Sequence, residues 1–185
     1  MDNIFLYEMG ESRVIILSLD LSLSSTGFSI IDDEYNLISY GTIQTKAKDN
    51  TEEERLYIIG KKIDEIIKEY RITNICVEGS YKSVNIKTTQ QLAKLLGISI
   101  FLSVDNNINI LTVNPTTARK SIIGNGKADK EEVAKYIQDN YWNIGEFSDK
   151  QTKAVQKTSD IYDSMLLGLY FLKKNNLNNK YGNNK

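Results

Sequence analysis

The sequence predicts an α/β protein, a mixed five-stranded sheet flanked by helices, and three observations carry that expectation. Three strand-like runs follow one another without an intervening helix, at 14–21, 27–32 and 37–45. From residue 51 onward helical and strand periodicities alternate. The length, 185 residues of which 41% are hydrophobic, suits one domain with its own core.

The run VIILSLDL at 14–21 is nearly continuous in apolar residues, as a central strand buried on both faces requires. GFSIID at 27–32 and the segment 37–45 read as two more strands joined by the polar turn 32–36, and three successive strands imply an antiparallel meander. Thr51-Glu-Glu-Glu54 has the spacing of a capping box, after which Leu56, Ile59, Ile63, Ile66, Ile67 and Tyr70 recur at helical period, so a long amphipathic helix is expected to residue 71. TNICVE at 73–78 is a fourth strand, a helix covers 88–104, and INILTV at 108–113 is a fifth strand stopped by Asn114-Pro115. Helical signals follow at 116–123, 130–141 and 157–174. The tail, rich in Asn and Lys from residue 173, has the composition of a disordered segment. The expected organisation is an N-terminal extension at 1–13, a folded domain at 14–174 and a disordered polar tail at 175–185.

Absent residues exclude much chemistry. With no histidine there is no Ser-His-Asp triad, no Cys-His dyad and no histidine-based zinc site, and the lone Cys76 rules out internal disulfides and multi-cysteine metal sites. Catalysis is left to carboxylate, lysine, hydroxyl and bound metal. No run approaches the roughly 20 apolar residues that span a bilayer, and the first 13 residues carry Asp2, Glu8 and Glu11 and no basic start of a signal peptide, so a cytoplasmic protein with no membrane partner is expected. The net charge of -1 hides zoning: residues 1–78 carry 8 basic and 15 acidic side chains, residues 79–130 carry 7 and 2, residues 131–164 carry 4 and 7, and residues 165–185 carry 4 and none. Solvated helix faces also fluctuate in sign, so the zoning alone does not name a partner.

Asp20 is a carboxylate in an otherwise apolar strand, and Glu78 repeats the pattern at the end of the fourth. A buried charge persists only where a cation, a metal or a hydrogen-bond network receives it, so each has either a structural partner or a function. Asp160 and Asp163 stand three apart in a helical segment and share a face, where like charges repel unless a cation lies between them; Asp160, following Ser159, also fits a helix cap. Four such carboxylates are the oxygen-donor set of a magnesium or manganese site, where two ions about 3.5–4 Å apart clamp the attacking and leaving oxygens of a phosphoryl displacement. Such a site needs no histidine.

Four stretches, LSLDLSLSSTGFSII around Asp20, ICVEGSY around Glu78, ARKSIIGNGKADKEEV at 118–133 and SDIYDSMLLGL around Asp160 and Asp163, together resemble the RuvC family of Holliday-junction resolvases, over residues 15–171. The resemblance implies a ribonuclease H-like (retroviral integrase-like) fold and maps the family's metal-binding acids onto Asp20, Glu78, Asp160 and Asp163. Some relatives carry His at the first position of the final pair, where this chain has Asp160. In GNGKADK it makes Lys130 a phosphate-binding or transition-state-stabilising cation near the metals, although the same segment also fits a glycine turn leading into a helix. Arg119 matches another basic position, with Lys120 beside it and Lys127 in the glycine turn. Tyr81 falls where relatives place an aromatic that stacks on junction bases, flanked by Lys82 and Lys87; a core tyrosine is the alternative.

The implied protein is a structure-selective endonuclease using two Mg2+ ions per site, with Mn2+ as a substitute and no nucleotide cofactor. It would act as a homodimer that resolves four-way DNA by paired symmetrical nicks, leaving 5′-phosphate and 3′-hydroxyl ends. Abundant Asn, Ile and Lys point to an AT-rich genome, and with the N-terminal extension suit a bacteriophage or viral member. Two readings compete: a related nuclease acting on forks or flaps, and an actin-like nucleotide-binding fold, whose phosphate loop DLSLSSTG also resembles but whose second domain and second glycine-rich loop are missing.

Overall fold

In the computed structural model, residues 13–79, 85–144 and 153–181 are described. The order is β1 (Ile15–Asp20), β2 (Ser25–Asp32), β3 (Leu37–Gln44), α1 (Glu52–Glu69), β4 (Asn74–Glu78), α2 (Ile86–Asp105), β5 (Asn109–Val113), α3 (Pro115–Ile122), α4 (Lys130–Asn140) and α5 (Lys153–Tyr181). One mixed five-stranded sheet has the order β3-β2-β1-β4-β5, with β1, β2 and β3 antiparallel and β1, β4 and β5 parallel, as the meander and the later alternation imply. Elements form at the expected places to within two residues, α2 beginning behind an Asn85 cap, except that α5 is longer than 157–174 at both ends. The backbone at 175–181, read from its composition as a disordered tail, is helical. Lys and Asn cannot bury much surface, but neither carries the Gly or Pro that stops a helix already started upstream.

The pleat divides the core into two layers. Leu17 and Leu19 of β1 and Ile75 and Val77 of β4 meet α1 and α2, where Ile59, Ile63 and Leu95 are fully buried. Ile16 and Cys76 point the other way, against Tyr162, Met165 and Leu166 of α5. Cys76 Sγ donates to Leu167 O at 3.3 Å, and burial pushes its thiol up to about 12, so the single cysteine is an inert core residue. None of the described helices is long and apolar enough to cross a membrane.

Helix ends are fixed locally. Thr51 and Glu54 form the expected capping box of α1, and Asp129 with Glu132 forms a second at the start of α4. Pro115 opens α3 at its first turn, where a missing N–H is harmless. Gly124, at φ 87°, takes the left-handed conformation that ends α3 and begins the turn toward Lys130.

Candidate active site

Asp20 and Glu78 end adjacent parallel strands. Because Leu19 pairs with Val77, the next residues stand side by side, and the period-2 alternation aims both carboxylates at the α5 face. Their carboxyls are within hydrogen-bonding reach of each other. From the other side α5 brings Asp160 and Asp163, and a cleft is lined by Asp20, Glu78, Asp163, Arg119, Pro115 and Leu167.

Two glycines let α5 lie this close. A Cβ on Gly27 of β2 would fall 2.1 Å from the Asp160 carbonyl oxygen, and one on Gly168 of α5 would fall 2.7 Å from Ser18 Oγ. Gly27 is the register partner of Asp20, so the bare backbone next to one acid is the seat of another.

Two cations stand among the carboxylates. Lys130 Nζ, carried on the first residue of α4, lies 3.0 Å from Asp160 Oδ1 and 3.3 Å from Asp163 Oδ2. Arg119 Nη2, from α3, lies 3.4 Å from Asp163 Oδ1, and its buried Nε has no hydrogen-bond partner among the described residues. Burial works against the Lys130 charge, but Asp163, Asp20 and Asp160 overcome it and raise the ammonium above its ordinary value. Burial, followed by the charge of Asp163, pushes Asp20 well above the carboxylate range; Lys130 offsets part of this, and Glu78 and Asp160 add to it. Glu78 is raised by the same burial and by Asp163, against the pull of Arg119 and Lys130.

Among the described residues no three acidic or cysteine side chains stand close enough to hold a metal ion in their present rotamers. Asp160 and Asp163 are drawn to Lys130 and Arg119. The donor chemistry nonetheless fits a hard divalent cation: every donor is a carboxylate oxygen, and burial together with the neighbouring acids disfavours the charges of Asp20 and Glu78, a cost that such a cation relieves.

The other basic residues divide. Lys120 and Lys127 are exposed on α3 and the following turn. Lys87 is exposed on the first turn of α2 but acts electrostatically on Glu52 of α1, and Lys94 binds Glu52 at 2.6 Å. Part of the positive balance of residues 79–130 is thus consumed within the fold. Tyr81 and Lys82 lie outside the described residues. Sequence reading passed over Gly27 and Gly168, whose only signal is a glycine inside a strand or helix run, and over Arg55. That arginine is 8% exposed, and the signal was its place on the buried stripe of α1, four residues before Ile59 and eight before Ile63.

A ribonuclease H-like sheet with acids at the carboxyl ends of its first and fourth strands and on a late helix defines a carboxylate nuclease class. A family model described as Crossover junction endodeoxyribonuclease RuvC matches residues 16–149. The chain belongs to the RuvC family. It is 30% identical over 126 residues to the RuvC of Fusobacterium nucleatum, 66% of each chain, and 26% identical over 167 residues to that of Clostridioides difficile, 89% of this chain and 93% of the other. The fold is similar to that of Thermus thermophilus RuvC at a TM-score of 0.68 and 15% identity, covering 88% of this chain and 97% of that one. The yeast mitochondrial Holliday junction resolvase also gives 0.68, at 13% identity, over 92% and 82%. A Thermus thermophilus RuvC solved in complex with Holliday junction substrate gives 0.66 at 14% identity, over 85% and 92%.

Proposed function

We propose that this chain is a crossover junction endodeoxyribonuclease that resolves four-way DNA junctions, its nuclease domain spanning residues 14–174. The observation that carries the reading is the meeting of Asp20, Glu78, Asp160 and Asp163 around Lys130 at the carboxyl ends of β1 and β4, in a chain of the RuvC family. The four carboxylates would hold divalent cations, two Mg2+ with Mn2+ as substitute, which supply charge neutralisation and an acidified bound water. Lys130 and Arg119, released from their carboxylates, would then face the scissile phosphodiester and the charge that develops on it. Lys120 and Lys127, with Tyr81, Lys82 and Lys87 from the segment after β4, would contact DNA around the cut.

Paired symmetrical nicks need two sites, and α2 supports a homodimer. Ile86, Ile100, Phe101 and Val104 are exposed, Phe101 at 66% and Val104 at 75%, and with Gly97, whose missing Cβ meets nothing within 4 Å, they fall on one stripe of the helix. Spacings of seven between 86, 93 and 100 and between 97 and 104 are those of a helix–helix seam.

Cleavage of four-way junction, fork, flap and linear duplex side by side, with Mg2+ or Mn2+ and product mapping, tests the reading. Symmetrical cuts with ligatable ends confined to the four-way junction are expected. Preferential cutting of forks or flaps would place the chain with nucleases of other branched DNA.

A further inference from the structure

Arg55 is a buried guanidinium that the site above does not use. Its Nε donates to Thr45 Oγ1 at 2.8 Å, and its Nη2 donates to Leu23 O and to Ser24 Oγ, both at 3.1 Å. All three partners are neutral, and among the described residues Arg55 forms no ion pair. Neutral hydrogen-bond partners satisfy the donors but leave the charge uncompensated, and an anion at the surface beside them would lower the remaining cost of burial.

The guanidinium lies against the turn between β1 and β2, at Ser24, four residues beyond Asp20. Thr45 N–H donates to Ser24 O at 3.2 Å, so the turn lies against the start of the β3–α1 connection, where Lys46 and Lys48 are exposed, with Asp49 as the acid nearest in sequence. Ser24 is itself exposed. A serine hydroxyl has one proton and can accept as well. Here it accepts from Arg55, and among the described residues no acceptor takes its proton. That proton, polarised by the cation behind it, is available to an anion in solvent. The turn is on the β3 side of the carboxylates, while Arg119 arrives from α3 beyond β5.

We infer that the β1–β2 turn is a phosphodiester-binding subsite: Ser24 donates to a DNA backbone phosphate, Arg55 supplies the compensating charge from beneath, and Lys46 supplies it from beside. The inference rests on the nuclease reading and adds to it a second grip on the strand, on the other side of the carboxylates from Arg119 and Lys120.

Ser24→Asp separates this from a merely structural Arg55. A carboxylate at 24 gives the guanidinium an internal partner, so the folded protein keeps or gains thermal stability, while the phosphate loses its site. Binding to a synthetic four-way junction in EDTA, followed by anisotropy over a range of salt, is expected to weaken about five- to tenfold, with the log–log salt slope reduced by about one. Lys62→Gln, an equal charge change on the solvent side of α1, is expected to leave both unchanged, Lys46→Ala to weaken binding by a smaller factor without altering the melting temperature, and Ser24→Ala to weaken it while lowering the melting temperature, because Arg55 Nη2 loses an acceptor. Wild-type affinity and slope in folded Ser24→Asp and Lys46→Ala protein would overturn the subsite alone. A wild-type protein that binds no DNA would overturn the nuclease reading and the subsite together.

Discussion

Asp20 is held protonated more readily than an ordinary aspartate because it is buried beside three other acids. The consequence for stability has a definite sign. A carboxyl whose folded pKa lies above its unfolded value favours the folded state most at low pH, and that contribution is lost as pH rises from the unfolded carboxylate range through the raised folded value. Metal-free protein is therefore expected to melt at progressively lower temperature as pH is raised from the ordinary carboxylate range toward neutrality. Asp20→Asn should flatten that dependence and raise the neutral-pH melting temperature by a few degrees; calorimetry in EDTA across this range checks both. The same substitution should reduce junction cleavage by about 10²–10³-fold or more, while gel-shift affinity in EDTA stays near wild type because lysines and shape supply it. Lys130→Met is expected to destabilise the metal-free protein, since Asp160 and Asp163 lose the ammonium at 3.0 and 3.3 Å that now compensates them, and added Mg2+ should restore part of the melting temperature.

At the scale of elements, the active site is a statement about where α5 sits. Its two acids reach Asp20 only because Gly27 and Gly168 remove the side chains that would hold it off the sheet. Gly27→Ala presses a methyl into the Asp160 backbone, and overpacking of this kind costs about 1–3 kcal/mol. Cleavage should fall with it, as Asp160 and Asp163 are displaced together. Thr51→Ala is the matched control: it breaks the capping box of α1 at a cost of about 1 kcal/mol on the far layer, and its cleavage rate below the melting transition should remain that of wild type. Urea melts paired with single-turnover cleavage of a junction distinguish the two. The elements themselves were legible in the sequence because each is set locally: Thr51 to Glu54 by hydrogen bonds within one turn, Ile59 to Ile67 by a period of 3.6, Val14 to Leu21 by uninterrupted apolar character. The extra length of α5 was not, because the residues past 174 carry no apolar period to follow.

For the whole molecule, the stripe of Ile86, Ile100, Phe101 and Val104 is expected to be the surface on which two copies meet. Phe101→Glu together with Val104→Glu should shift sedimentation from dimer to monomer at micromolar concentration, leave the far-ultraviolet spectrum unchanged, and convert paired nicks in a cruciform plasmid into single ones. A wild-type protein that sediments only as monomer would count against symmetrical resolution. The charge zoning of the chain acquires a different meaning in three dimensions. Lys94 serves the α1–α2 junction through Glu52, Arg119 and Lys130 lie against the carboxylates, and Lys87, Lys120 and Lys127 remain exposed.

By itself the sequence determined the chemistry and the local structure. The absence of histidine left carboxylate, lysine, hydroxyl and bound metal for catalysis, and Asp20, Glu78, Asp160 and Asp163 stood out as charges in apolar strands or on one helical face. Tertiary structure decided which groups meet. That Asp20 lies beside Glu78 depends on the parallel pairing of Leu19 with Val77, and a one-residue slip would have sent one of them to the opposite face. That Arg55 lies under Ser24, and Gly27 under Asp160, depends on contacts separated by 31 and 133 residues, which periodicity within any one segment does not encode.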